Sequence, residues 1–202
     1  MSESESKSPS SFKRLLMKIG SETVLVTLVT FLSVLTATAA WQGSLADSKE
    51  SDANVEGQKQ LTEANSMYLE TNQFVIYDYS MYDGWYINTG KDEEIAQYYY
   101  DSFSESLQAN MDREGDVFDD QYYEEMYTDA DSLYEEALTY FDEAQAAGDR
   151  ADNMQLVVLI FAVGLALAAY GSLMAPEKAI RAVFALGSIA GLVMGLIFFF
   201  NA

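Results

Sequence analysis

The residues of this chain best suited to chemistry are carboxylates. Asp112, Glu114, Asp116, Asp119 and Asp120 crowd around Gly115, and Asp129 and Asp131 follow. Calcium favours oxygen-rich loops of this kind, but the EF-hand loop, with glycine sixth and a closing glutamate twelfth, is not present. The first five therefore stand as weak metal candidates on a charge block whose commoner role is to face water. Paired carboxylates also act as acid and base in glycoside cleavage, yet spacing sets no pair apart from its neighbours here. Histidine and cysteine are both absent. Imidazole catalysis, thiol nucleophiles, disulfides and the usual zinc and haem ligands go with them. No phosphate-cradling glycine loop, dinucleotide fingerprint, nucleophile elbow or zinc-protease helix appears. The residues predict no catalytic group and no cofactor, and the chain reads as a non-enzyme.

Two other constellations point to contact. Thirteen tyrosines lie between Gln42 and Asn153, including Tyr98-Tyr99-Tyr100 and Tyr122-Tyr123. Consecutive residues of a helix cannot share one face, so core packing accounts for Tyr99 and Tyr122 and leaves their neighbours over. Trp85, Tyr98, Tyr100, Tyr123 and Tyr127 are accordingly candidates for a partner surface, where a ring buries area and its polar tip keeps a partner. Near the C-terminal end, Gly187, Gly191 and Gly195 repeat at four-residue spacing, and Gly164, Ala168 and Ser172 match them. Small residues at that spacing let helices approach closely where lipid removes the hydrophobic drive. A hairpin between the two segments is the first reading and an intermolecular interface the second.

The elements that would carry these residues are helical and sorted by polarity. Residues 19–41, 154–174 and 182–200 form three apolar runs, with Glu22 and Arg181 at their margins. About 20 helical residues cross a hydrocarbon core of roughly 30 Å, so each run predicts a transmembrane helix. The first run also resembles a secretory signal, with Lys7, Lys13, Arg14 and Lys18 before it and Ala37-Thr38-Ala39 at its end. Its length exceeds the usual apolar region of such signals, which favours a retained anchor. Residues 1–18 read as a disordered basic tail and residues 175–181 as a turn, both on the cytoplasmic side.

Residues 42–153 hold 28 acidic and only 5 basic side chains. They are expected to form an acidic, tyrosine-rich extracytoplasmic bundle of three helices. Leu61, Ala64, Tyr68, Val75, Ile76 and Tyr79 suggest one stripe of a helix running out of the first span. Asp83-Gly84 and Asn88-Thr89-Gly90 signal turns, with Trp85-Tyr86-Ile87 as an apolar patch between them. A second helix is expected from Asp92, with Ile95, Tyr99, Phe103, Leu107 and Met111 every four residues and Gly115 as its end. Phe118, Tyr122, Met126, Ala130, Leu133, Ala137, Phe141 and Ala144 form the cleanest apolar face, and Gly148 is placed to loosen the junction with the second span.

The predicted fold class is thus an all-α integral membrane protein with three transmembrane helices and an extracytoplasmic acidic helical bundle between spans 1 and 2. A net charge of -21 and a pI near 4.1 exclude a nucleic-acid reader, which needs a basic footprint. Such acidity suits either high-salt adaptation or the steering of a basic partner. Basic residues on one side and acids on the other place the N-terminus in the cytoplasm, and residues 42–153 and the C-terminus outside.

The layout resembles the domain of unknown function 4337 family of small three-span membrane proteins. The likeness lies in a first span followed by small and polar residues (ATAAWQGSLADSKESDANVEGQKQ), then an outer helical segment and a charged helix leading into a closing two-span hairpin. It covers most of residues 19–200, and implies a fold without an activity or functional residues.

The function expected is a non-catalytic, membrane-anchored interaction or assembly protein in the cell membrane. The bilayer is its first partner, and a second copy or another membrane or extracytoplasmic protein its next. A subunit of an oligomeric channel or transport assembly, and a membrane enzyme using outer carboxylates, are the alternatives.

Overall fold

The structure is a computed structural model that describes residues 18–175 and 179–202. The basic tail up to residue 17 and the turn residues Pro176, Glu177 and Lys178 lie outside the described residues. Among the described residues five helices follow one another: α1 (Glu22–Asn88), α2 (Glu93–Tyr100), α3 (Glu105–Met111), α4 (Asp120–Leu173) and α5 (Ala179–Asn201). No strand occurs among the described residues. Helices α1, α4 and α5 are each long and apolar enough to cross a membrane.

The chain divides into two compact units. One holds the residues up to Ser51 together with Gln145–Ala202, and the other holds Asp52–Ala144. Proline is absent between Pro9 and Pro176, so nothing removes a backbone donor and α1 runs for 67 residues without a break. Helix α4 likewise continues through Gly148. The Glu50 carboxylate packs 2.9 Å from where a Cβ on Gly148 would stand.

In the first unit, Leu25, Leu28, Leu32 and Ala39 of α1 meet Val157, Phe161 and Ala168 of α4 and Ala185 of α5 in one buried cluster. The spacing on α1 is three, four and seven residues, which keeps one stripe of the helix facing its neighbours. The hydroxyls of Thr27, Thr30, Ser33, Thr36 and Thr38 each donate to the carbonyl four residues back. Five polar side chains in the apolar run are thereby satisfied within their own helix, as an apolar surrounding demands.

In the second unit, small side chains recur every seven residues. Gly57, Ala64, Thr71 and Asp78 do so on α1, and Ala130, Ala137 and Ala144 on α4. All seven are buried. Two helical turns take about seven residues, so each series is a seam, and small residues in a seam let long ones interlock. The Phe141 ring fills the space beside Gly57, within 2.9 Å of a Cβ placed there.

This seam differs from the expected stripe. Ala64 and Val75 belong to the buried face, whereas Ile76 and Tyr79 are exposed. Gly84 also departs from its reading as a turn. It lies inside α1, and the Tyr99 ring passes 2.5 Å from where its Cβ would be. The turn comes only at Thr89–Lys91, where Gly90 takes φ +78°. The single helix expected from Asp92 is two. Ser104 interrupts it in extended backbone, and its hydroxyl accepts from the Leu107 amide to start α3.

Candidate functional site

Phe103, Leu107, Val75 and Tyr122 are the buried heart of the second unit, with Tyr82, Trp85, Tyr100, Phe118, Tyr123 and Tyr127 packed against them. Aromatic pairs of tilted and edge-to-face geometry link the set. Tyr82 meets Phe118 edge-on with ring centres 5.4 Å apart, Phe118 meets Tyr122 at 5.2 Å, and Trp85 meets Phe103 at 6.3 Å. Contacts at these separations add to the area that the rings bury.

One carboxylate sits inside this aromatic nest. Asp78 is 1% exposed, yet both of its oxygens are occupied. The Ser104 amide donates to Oδ1 at 3.0 Å, and the Ser104 hydroxyl and the Tyr122 hydroxyl both donate to Oδ2, the latter at 2.8 Å. A buried ion is tolerable only when donors replace its lost water, and three do so here. Burial first, and the bond to Asp78 second, push the Tyr122 phenol well above its ordinary value, so it holds its proton and acts as a donor. The trio joins α1, the start of α3 and α4. It is a structural clip.

Beside the clip runs an open groove of about 530 Å³, lined by Phe74, Tyr77, Asp78, Phe103 and Ser104, with Glu70 and Gln73 on its rim. Phe74 and Tyr77 are exposed. Three further hydroxyl contacts cross between α1 and α4: Tyr68 to Asp131, Tyr127 to Asn72 and Tyr79 to Tyr123. The bond it donates to Asp131 pushes the Tyr68 phenol up to about 12, and the Tyr79 hydroxyl does the same for Tyr123.

The weak metal candidates do not converge. Among the described residues no group of three or more carboxylates is placed to hold an ion. Asp112, Glu114, Asp116 and Asp120 are exposed. Asp119 is a helix cap, accepting from the Tyr122 amide at 2.9 Å and from Arg113 Nη2 at 2.8 Å. Asp116 accepts from the Phe118 amide at 3.1 Å, a local turn bond. Sequence spacing brought these acids near one another, but the loop geometry spends the inner ones on backbone.

Of the five residues read as partner surface, only Tyr98 is exposed, at 69%. Trp85, Tyr100, Tyr123 and Tyr127 are part-buried and pack on the aromatic core. Their part-burial has a simple cause: short α2 and α3 pack against α1 and α4, so rings on flanking faces find cover too. The apolar side chains left outside are others, among them Leu69, Phe74, Ile76, Tyr86 and Ile87.

In the first unit, Gly191 lies directly against Gly164, with 3.2 Å between the Gly164 Cα and a Cβ placed on Gly191. The buried Phe161 ring occupies the space beside Gly195. Only the end of the Leu167 side chain approaches Gly187. Ala168 is buried, but Ser172 is exposed and donates to the Ala169 carbonyl at 2.7 Å. Gly171 takes the packed place expected of Ser172, against Leu25 and Phe184. Arg181 is buried at the start of α5 and donates to the Met174 carbonyl at 3.2 Å, satisfying the end of α4.

Compared with protein families, with curated proteins and with solved structures, the chain matches none.

Proposed function

We propose that this chain is a non-catalytic, membrane-anchored interaction or assembly protein whose outer helical unit makes the contacts. The observation that carries the reading is the contrast between one buried carboxylate whose donors are all in place and a set of large apolar side chains left exposed. The buried carboxylate in the outer unit has its donors in place, whereas Leu69, Phe74, Ile76, Tyr86 and Ile87 stand exposed. Large exposed apolar residues grouped on one unit mark interaction sites more often than chemistry.

Orientation belongs to the same proposal. Lys18 and Arg181, with the bases of the tail and Lys178, flank the apolar segments on what would be one side of the bilayer. The positive-inside rule makes that side cytoplasmic, so residues 42–153 are extracytoplasmic.

The test is purification of the intact chain in mild detergent, with mass spectrometry of what accompanies it and measurement of particle mass. Stoichiometric partner protein or a defined oligomer supports the proposal. A lone monomer both in detergent and in bilayers contradicts it. For sidedness, a cysteine introduced at exposed Asp101 should react with an impermeant maleimide on intact cells. Reaction only after lysis would invert the topology.

A further inference from the structure

On α1, the line facing away from the buried seam runs through Thr62, Ser66, Leu69, Gln73, Ile76 and Ser80, at alternating intervals of four and three residues. All six are exposed, Leu69 at 66% and Ile76 at 65%. Intervals of four and three keep these residues on one face of the helix, and Leu69 and Ile76, one heptad apart, are its apolar members. The helix therefore carries two seams on opposite faces. One is filled from within the chain, and the other is bare.

Charge singles out the bare seam. Between Ala64 and Tyr82 the only charged residues are Glu70 and the buried Asp78, in a region otherwise dense with acid. A basic partner would gain least by docking there. A partner that is itself strongly acidic would lose least, since like charges need not be brought into contact. The acidic partner at hand is a second copy of the chain, which carries the same charge of -21.

From these observations we propose that the Thr62–Ser80 line is a self-pairing surface, on which a second copy lays its own α1 parallel and in register. The inference rests on the membrane-assembly reading above, because two copies inserted in one bilayer share one orientation. Their two-fold axis then stands along the membrane normal, and each residue of the line meets its own counterpart. Leu69 and Ile76, one heptad apart, supply the apolar contact. Ser66 and Ser80 are small enough to let the helices close. Gln73 between them pairs amide to amide only when the register is exact, as a single polar residue does in a parallel coiled coil. The line is short and four of its six residues are polar, so pairing depends on confinement to the bilayer, which raises the effective concentration of one copy near another.

The chain has no cysteine, which makes the test clean. The full chain is reconstituted in liposomes with one cysteine at a time, as Leu69→Cys, Ile76→Cys, or the exposed controls Asp101→Cys and Glu136→Cys, and is then oxidised with copper–phenanthroline. A disulfide requires Cα atoms within about 7 Å, so like positions join only in a parallel, in-register pair, and the line should give at least about tenfold more covalent dimer than the controls. Leu69→Lys with Ile76→Lys should weaken dimerisation about a hundredfold while leaving helicity unchanged, because both apolar anchors are lost from each copy. Equal cross-linking at line and control positions overturns the proposal. If a dimer persists by single-molecule photobleaching but ignores these substitutions, the surface is wrong and the assembly reading stands. A monomer that holds a different protein overturns self-pairing alone, and a monomer with no partner overturns both.

Discussion

Removing the Asp78 carboxylate should loosen one defined part of the molecule. Asp78→Ala takes the acceptor from the Ser104 amide, the Ser104 hydroxyl and the buried Tyr122 hydroxyl. Each donor left without a partner costs about 1–3 kcal/mol when water cannot reach it. Two effects reduce the sum: Asp78 borders an open groove, so water can reach part of the vacated site, and the cost of burying a charge disappears with it. A net loss of about 3 kcal/mol is the working figure. The loss should appear locally, because the clip is what ties the Ser104 start of α3 to α1 and α4. The assay is hydrogen exchange of the full chain in nanodiscs, read on peptides covering residues 93–111. Where opening limits exchange, about 3 kcal/mol corresponds to roughly 150-fold faster exchange there, while amides of residues 154–173 keep their rates. Asp131→Ala, which breaks the part-exposed Tyr68 contact, should change exchange by less than about fivefold. If Asp78→Ala leaves residues 93–111 within about threefold of the parent, or acts no more strongly than Asp131→Ala, the clip is not what holds this region.

Gly195→Ala drives a methyl into the buried Phe161 ring and Gly191→Ala sets one against the Gly164 backbone, so each should cost about 1–3 kcal/mol of stability. Gly187→Ala meets only the mobile end of Leu167 and should be nearly neutral. Thermal unfolding in detergent would rank the three, and equal effects would contradict the packing described. The Tyr68 and Tyr123 phenols, raised to about 12 from an ordinary value of 10.0, hold the folded state in their protonated form. The stability they lend is complete below pH 10 and drains away as pH rises through 12. Carbon-13 NMR of ring-labelled tyrosine should show both titrating after the exposed ones, and titration near pH 10 would refute the contacts. The acidic unit Asp52–Ala144 should unfold at higher temperature as salt rises, because screening relieves its self-repulsion. A midpoint independent of salt would show that its charges are too well spaced to matter.

How much of this was legible beforehand depends on whether the signal was local. Apolar runs of bilayer length and an unbroken proline-free stretch are local, and the three long helices follow from them. Glycine is ambiguous in a sequence. At Gly90 it permits a left-handed turn, whereas at Gly57 and Gly84 it makes room for a ring from another helix, and nothing nearby in the chain distinguishes the two uses. Only the seven-residue recurrence of Gly57, Ala64 and Thr71 marks Gly57 as a seam position, because a turn has no reason to keep a heptad, and Gly84 falls off that register. The four-residue repeat from Ile95 to Met111 hid the break at Ser104, a residue type suited to capping. Asp78 could not be singled out among 28 acids, because what distinguishes it is three donors from distant parts of the chain. The part-burial of Tyr100, Tyr123 and Tyr127 is not visible in the pattern of a single helix, which marks one covered face. The short helices α2 and α3 cover a second.

In the function proposed above, the unit Asp52–Ala144 makes contacts, above all with a second copy of the chain. Counting photobleaching steps of the singly labelled chain in liposomes at low density measures this directly. Mostly two-step particles are expected for the parent chain, and mostly one-step particles for Leu69→Lys with Ile76→Lys. One-step particles for the parent chain, with no other protein bound, would contradict it.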